Sequence, residues 1–346
     1  ISGLLGIYMG RLTDRFGSRG VITLCGLFLG AGYLLMSRVT EVWHLYVAYG
    51  VLVGIGMSGI WVSTMSTIAR CFPGKRGTMS AIVMVGGGIG SLASPPVSDW
   101  LITRYDWRMS YVTLGSLMLI VTVLCGQFLR RDRQNSSTPA QEKAEVSGLS
   151  LTESLHTRQF WLFLGLLFSM GFCAYLIMVH IAPFAIENGI SSARAAGILA
   201  TIGGTVIFGR LVLGFATDRI GGRKVFIIGL TVMAVSLFWL IFFSQKWALY
   251  LFAAVFGFGF GCGVANSPLT ADLFGLRSHG LLLGANVLSY SIGSAAGSFF
   301  GGYIFDVTKS YQIAFVVCAI IALLGVAMTA LITPVKRTIK SLSPNI

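Results

Sequence analysis

The sequence predicts an all-α membrane protein of two pseudo-symmetric six-helix bundles, with the first helix and half of the second expected ahead of residue 1. Three observations carry this expectation. The chain is 55% hydrophobic and 11% charged, with mean hydropathy +0.81, whereas soluble globular chains are ~25% charged. It contains ten apolar runs, most of which reach the ~20 residues that cross a bilayer as a helix. A ten-residue motif near the start also recurs at an offset of 204 residues.

The runs fall at 20–37, 43–69, 77–101, 109–129, 159–185, 194–216, 224–244, 247–272, 279–305 and 311–333. Residues 1–10 are apolar but only half long enough, and read as the end of a further helix. The runs are apolar all round, which excludes a β-barrel, whose strands alternate apolar and polar. With the linker after residue 10 placed in the cytoplasm, alternate linkers and the C-terminus hold 18 Lys and Arg, and the other linkers hold 6. This positive-inside imbalance sets the topology. It also accounts for the net charge of +13 through anionic lipid head groups, not nucleic acid. The expected location is the plasma (inner) membrane, with linker 130–158 and the C-terminus cytoplasmic. The six cysteines, five of them within spans, fit no metal-ligand spacing and read as small apolar filler.

The stretch 130–158 contains RRDRQNSSTPAQEKAEVSG, the one long polar segment, and reads as a flexible linker. Repeats flank it. Gly10-x-x-x-Asp14-Arg15-x-Gly17-x-Arg19 recurs as Gly214-x-x-x-Asp218-Arg219-x-Gly221-x-Arg223, an offset of 204. Gly77 and Ile-Gly-Ser at 89–91 recur as Gly280 and Ile-Gly-Ser at 292–294, an offset of 203. Two matches at nearly one offset indicate an internal duplication. The second half opens at 159, so its counterpart would begin about 45 residues before Ile1, which restores six helices to each half. The expected units are a first bundle at 1–129, the linker at 130–158, a second bundle at 159–335 and a tail at 336–346.

Over its whole length the chain resembles the major facilitator superfamily. That family's signature Gly-x-x-x-Asp-Arg/Lys-x-Gly-Arg-Arg/Lys stands here as GRLTDRFGSR and again as GFATDRIGGRK. The resemblance implies that Asp14, Arg15, Asp218 and Arg219 steady one conformational state and lie outside the substrate site. Physically, glycine permits a tight turn, and the aspartate suits a helix N-terminus or a neighbouring arginine. ARCFPGKRGTMSAIVMVGGGIGS, HIAPFAIENGIS and GRLVLGFATDR are similar to stretches of the monocarboxylate porters and the oxalate/formate antiporter group. The oxalate antiporter pairs its eighth-helix arginine with a lysine in helix 11. Residues 279–305 contain no lysine, which points away from a dicarboxylate.

Arg210 is the most informative single residue. At ~1.5 Å per residue it lies roughly 12 Å deeper than Asp218, which marks the helix end. An arginine within a membrane helix costs ~2.5 kcal/mol or more, so it faces a cavity or a partner. Its own helix offers no acid at i±4, where Val206 and Gly214 stand. A guanidinium in a cleft is a bidentate carboxylate site, and the resemblance implies that role at this position. The alternative is an arginine that snorkels or bonds to carbonyls of a neighbouring helix.

His180, seven residues before Glu187, could carry a proton, since an unperturbed imidazole titrates near ~6.5. The alternative is a neutral, hydrogen-bonded histidine. Asn266, Asn286 and Tyr290, with Trp61 and Ser63, are polar or amphipathic positions on helices that border the cavity in this fold. Each lines the cavity or simply packs. Asp99 near a helix end reads as solvated or paired with Arg104. Gly86-x-x-x-Gly90-x-x-x-Ser94 and Gly293-x-x-x-Gly297-x-x-x-Gly301 are expected as smooth faces that slide between bundles. GGGIGS and GFGFGCG lie in apolar helices without a preceding strand or a Walker lysine, so nucleotide binding is rejected.

The expected function is secondary transport of a small organic anion, a monocarboxylate above all, by proton symport or anion exchange. The expected partners are that anion, protons and the lipid bilayer. No cofactor, metal, nucleotide or nucleic acid is expected, and the protein is expected to be a monomer. One rival is an exporter of amphipathic drugs, which would not need Arg210. Another is a non-transporting sensor on a carrier scaffold, which would need an added signalling domain. An integral-membrane enzyme is not expected, since the spans hold no His/Asp/Glu metal cluster and no nucleophile–base pair at helical spacing.

Overall fold

The computed structural model describes residues 2–129, 148–243 and 245–333. In chain order the helices are α1 (Ser2–Phe16), α2 (Ser18–Met36), α3 (Val42–Cys71), α4 (Arg76–Arg104), α5 (Trp107–Phe128) and the one-turn α6 (Leu151–Leu155). They continue as α7 (Arg158–Glu187), α8 (Ser192–Ile220), α9 (Gly222–Phe242), α10 (Lys246–Phe274), α11 (His279–Thr308) and α12 (Gln312–Leu331). A π-helical stretch, Tyr46–Val53, interrupts α3, and a 3-10 turn, Gly261–Ala265, interrupts α10. No strand occurs among the described residues, only an isolated bridge between Gly148 and Gly275.

Nine of these helices, α2–α5, α7–α10 and α12, are long and apolar enough to cross a membrane. The sequence counted ten full spans. The difference is α11, which has 30 residues but carries glycine and serine where the others carry large aliphatic side chains. Its surroundings explain the composition: α11 is wedged between α7 and α1, where small residues let backbones approach. Elsewhere the apolar surface faces outward. Leu117, Ile120 and Leu124 on α5, Val235 and Phe242 on α9, and Leu323 and Leu324 on α12 are all exposed. Water would penalise such a surface and lipid does not.

Local chemistry fixes the helix ends. The Asp106 carboxylate accepts from Trp107 N–H to begin α5, and the Thr157 hydroxyl accepts from Phe160 N–H to begin α7. Gly17 and Gly221 turn the chain from α1 to α2 and from α8 to α9 with φ +81° and +88°, which only glycine adopts without strain. They are the second glycines of the duplicated motif. Within the expected linker, Ser150 and Glu153 form a capping box that starts α6, and Leu149 N–H donates to the Phe274 carbonyl. Residues 130–147 and the tail from 336 lie outside the described residues.

In the second half, Phe163, Phe226, Phe252, Phe256 and Phe315 are almost wholly buried and fill the core between α7, α9, α10 and α12. The two halves meet along α1 against α11 and α4 against α8. The duplication relates α1 to α8 and α4 to α11, so the two contacts are pseudo-symmetric copies of each other.

The sliding faces expected from glycine spacing are corrected here. Cβ atoms at Gly293 and Gly297 would lie 2.2 Å from the carbonyl oxygens of Phe168 and Phe172, and one at Gly301 would lie 2.5 Å from the His180 ring. All three belong to α7, so this face packs within its own half. Gly86 and Gly90 have no neighbour within 4 Å among the described residues. Between halves the close crossings are instead Gly10 with Gly280, Gly6 with Gly284, and Gly77 with Gly214.

Candidate functional site: a cavity between the two halves

The duplicated motif builds one side of the interface. Gly10 meets the backbone of Gly280, and its symmetry mate Gly214 meets Gly77. Four residues on, Asp14 accepts hydrogen bonds from Gly280 N–H at 3.0 Å and Leu281 N–H at 2.9 Å, at the start of α11. Asp218 accepts from Gly77 N–H at 2.7 Å and Thr78 N–H at 2.8 Å, at the start of α4. Each carboxylate therefore caps a helix of the opposite half, where orphan amides and the helix dipole favour negative charge.

The two caps differ in their third partner. Arg70 Nη2 reaches Asp14 at 2.7 Å, while the Thr78 hydroxyl donates to Asp218 at 2.6 Å. Arg19 and Arg223 bind within their own halves, to the Gln127 side chain on α5 and to the Thr329 and Ala330 carbonyls on α12. Arg15 and Arg219 lie over the rings of Phe16 and Phe215.

Beyond the caps the halves separate around a cavity of about 590 Å³. Arg210 on α8, Trp61 on α3, Tyr290 on α11 and Asn266 on α10 all line it. Among the lining residues Arg210 alone carries a formal charge. Its Nη1 donates to the Met84 carbonyl on α4 at 2.8 Å. The other guanidinium N–H groups have no acceptor, and no carboxylate pairs with them, among the described residues. One N–H is thus bonded to a carbonyl of α4, and the residue also lines the cavity.

Three sequence candidates stand elsewhere. Asn286 is buried behind Asn266, and its Nδ2 donates to Asn266 Oδ1 and Thr270 Oγ1, both at 2.9 Å. His180 is buried against α11, where Nε2 donates to the Ser298 carbonyl at 3.0 Å, and its ring lies 5.5 Å from Tyr311. Ser63 is also buried, 2.6 Å from the Thr13 hydroxyl.

The sequence reading did not single out Thr270, Arg70 or the lining residues Tyr175, Met84 and Met170. Arg70 has no counterpart in the repeat, so the duplication carried no signal for it. Gly77 and Gly280 were visible as a repeat at an offset of 203 beside the motif's 204, but not as the partners of Gly214 and Gly10.

Comparison with known proteins agrees with this architecture. The family model described as Major Facilitator Superfamily matches residues 1–215 and 189–345. Human Monocarboxylate transporter 7 is 27% identical over 94% of this chain and 75% of its own length. The uncharacterized MFS-type transporter YhjX of Escherichia coli K12 is 27% identical over 82% of this chain and 71% of its own. Among solved structures, FucP in the outward conformation superposes with TM-score 0.75 at 13% identity, covering 95% of this chain and 86% of that one. The human organic anion transporter MFSD10 gives TM-score 0.75 at 15% identity, covering 95% and 80%. The chain belongs to the Major Facilitator Superfamily and is, like its relatives, an integral membrane transporter and not an enzyme.

Proposed function

We propose that the protein carries a small monocarboxylate across the plasma membrane by alternating access, as a single chain, with Arg210 holding the carboxylate. The supporting observation is a guanidinium at a cavity between the halves, with free N–H donors and no acidic partner among the described residues. An unpaired cation there is costly unless a ligand completes it, and a carboxylate accepts two parallel N–H bonds from such a fork. Relatives named monocarboxylate transporters support the same class. In this reading the motif side faces the cytoplasm. The Asp14 and Asp218 caps close it, and their release opens it.

Proton symport is the first form of coupling, and anion exchange the second. The Ser298 carbonyl only accepts, so Nε2 of His180 carries a hydrogen and Nδ1 is the atom that takes up a proton. That bond ties His180 to α11, which borders the cavity. Uptake driven by an inward proton gradient is expected to fall at least ~10-fold in His180→Gln, a loss typical of a removed acid–base group. Equal stimulation in variant and wild type would remove His180 from coupling.

The general test is uptake of labelled lactate, pyruvate, formate and oxalate into proteoliposomes, with and without an inward proton gradient. Gradient-stimulated uptake of the monocarboxylates supports symport, and uptake that requires internal anion supports exchange. A second reading, export of amphipathic compounds, is favoured by the apolar lining of Met57, Met65, Met84, Met170 and Phe260. No uptake of any of the four anions, together with efflux of an amphipathic dye, would establish that reading instead.

A further inference from the structure

Behind the cavity wall lies a polar cluster formed by Asn266, Thr270 and Asn286, all buried. It sits where α10 resumes α-helical geometry after the 3-10 turn at Gly261–Ala265. That turn presses on α8: a Cβ at Gly261 would lie 2.6 Å from the Arg210 backbone nitrogen. The same irregularity therefore brings α10 against the backbone of Arg210 and sets the phase at which Asn266 enters the wall of the cavity.

The hydrogen bonds of the cluster assign both amides. The Thr270 hydroxyl lies 2.8 Å from the Asn266 carbonyl, which can only accept, so the hydroxyl hydrogen is committed there. Thr270 Oγ1 must then accept from Asn286, which fixes the NH₂ group of Asn286 on that side. The same NH₂ group meets Asn266 at 2.9 Å, so Asn266 presents its Oδ1 inward. The Nδ2 of Asn266 is left on the other side of the amide, with no acceptor among the described residues, on a residue that lines the cavity. A chain of buried bonds thus holds one neutral donor in a fixed sense beside the space that Arg210 serves.

We propose that Asn266 Nδ2 is a specificity-determining donor, held in that sense by the positioning residue Asn286, and that it selects carboxylates bearing a second acceptor oxygen next to the carboxylate. The inference rests on the reading of Arg210 as the carboxylate anchor. A site built to donate to an oxygen loses that bond when the substrate lacks it. One hydrogen bond corresponds to roughly a 2- to 13-fold preference. Wild-type protein should therefore favour pyruvate over propionate in Vmax/KM by about that factor.

Two variants separate positioning from packing. Asn286→Asp replaces the inward donor by an acceptor, so the Asn266 amide reverses and offers Oδ1 to the cavity. Pyruvate, which only accepts at carbon 2, then loses its preference over propionate, while lactate, whose hydroxyl can donate, gains on pyruvate. Asn266→Leu removes the donor but keeps the branched shape, while Asn286 keeps Thr270, so pyruvate and lactate lose their preference together.

The experiment measures uptake of labelled pyruvate, lactate and propionate in proteoliposomes for wild type, both variants and Arg210→Gln, using protein that elutes as one species in detergent. A lactate-to-pyruvate ratio that rises in Asn286→Asp but not in Asn266→Leu supports the assignment. Should Asn286→Asp fail to fold, the fall of the pyruvate-to-propionate ratio in Asn266→Leu carries the test. Ratios unchanged in the variants, with Arg210→Gln inactive, would overturn the role of Asn266 and leave the Arg210 anchor standing. Wild type that takes up none of the three would overturn both.

Discussion

Gly10→Val is expected to open the motif side of the interface. A Cβ at this position would lie 2.2 Å from the Gly280 carbonyl oxygen and 2.6 Å from its carbon. Both are backbone atoms, so no side chain can swing aside, and α1 must move away from α11. Overpacking of this kind costs ~1–3 kcal/mol, and here the cost falls on the state in which the two helices touch. A penalty of that size shifts a two-state equilibrium by roughly 5- to 150-fold. Gly77→Val, at the other copy of this crossing, should behave alike, because its Cβ would lie 2.4 Å from the Gly214 carbonyl oxygen.

The shift can be read with Ser291→Cys, a position that lines the cavity, after the exposed Cys71 and Cys125 are replaced by serine. A membrane-impermeant maleimide should label the otherwise unaltered protein from the face opposite the motif, and Gly10→Val from the motif face. Identical labelling in the two would mean that this glycine crossing does not govern access.

The second large effect is an asymmetry between two residues that the sequence makes equivalent. Asp14→Ala and Asp218→Ala each remove a cross-half cap, worth ~1 kcal/mol. Asp14→Ala also leaves Arg70, whose side chain is 17% exposed beside a 13% exposed partner, with the Leu276 carbonyl at 3.5 Å in place of a counter-charge. Breaking a fully buried pair costs ~3–5 kcal/mol, and the partial exposure places this one below that range. Asp14→Ala should therefore displace the labelling pattern further than Asp218→Ala. The double variant Asp14→Ala/Arg70→Met should recover part of the loss, which a double-mutant cycle measures. An equal or larger effect of Asp218→Ala would show that the ion pair contributes no more than the bond from the Thr78 hydroxyl to Asp218.

Much of the fold could be read from the sequence because a bilayer imposes local rules. A span must be a continuous apolar run, so α2–α5, α7–α10 and α12 declared themselves, and the repeated motif tied the halves together. The partners of each face could not be read the same way. Gly293, Gly297 and Gly301 have the spacing of an inter-bundle surface yet pack on α7, because spacing defines a face and says nothing of what meets it.

Site residues divide similarly. Arg210 stood out because a lone charge in an apolar helix is expensive wherever it sits. Asn266 and Asn286 looked alike in sequence, but one lines the cavity and the other supports it from behind. That difference depends on helix rotation and on the 3-10 turn at Gly261–Ala265, which no periodicity reveals. His180 shares its helix with the lining residue Tyr175 but is turned toward α11.

The most direct test of carboxylate binding at Arg210 compares pyruvate uptake by wild type and Arg210→Gln in the same proteoliposome preparation. Glutamine keeps a polar amide on a shorter side chain but loses the charge and the bidentate fork. A charge-assisted bidentate contact is worth several kcal/mol, so uptake should fall at least ~100-fold while the variant remains folded in detergent. Uptake within about threefold of wild type, less than one charge-assisted hydrogen bond's worth, would contradict a carboxylate held at Arg210.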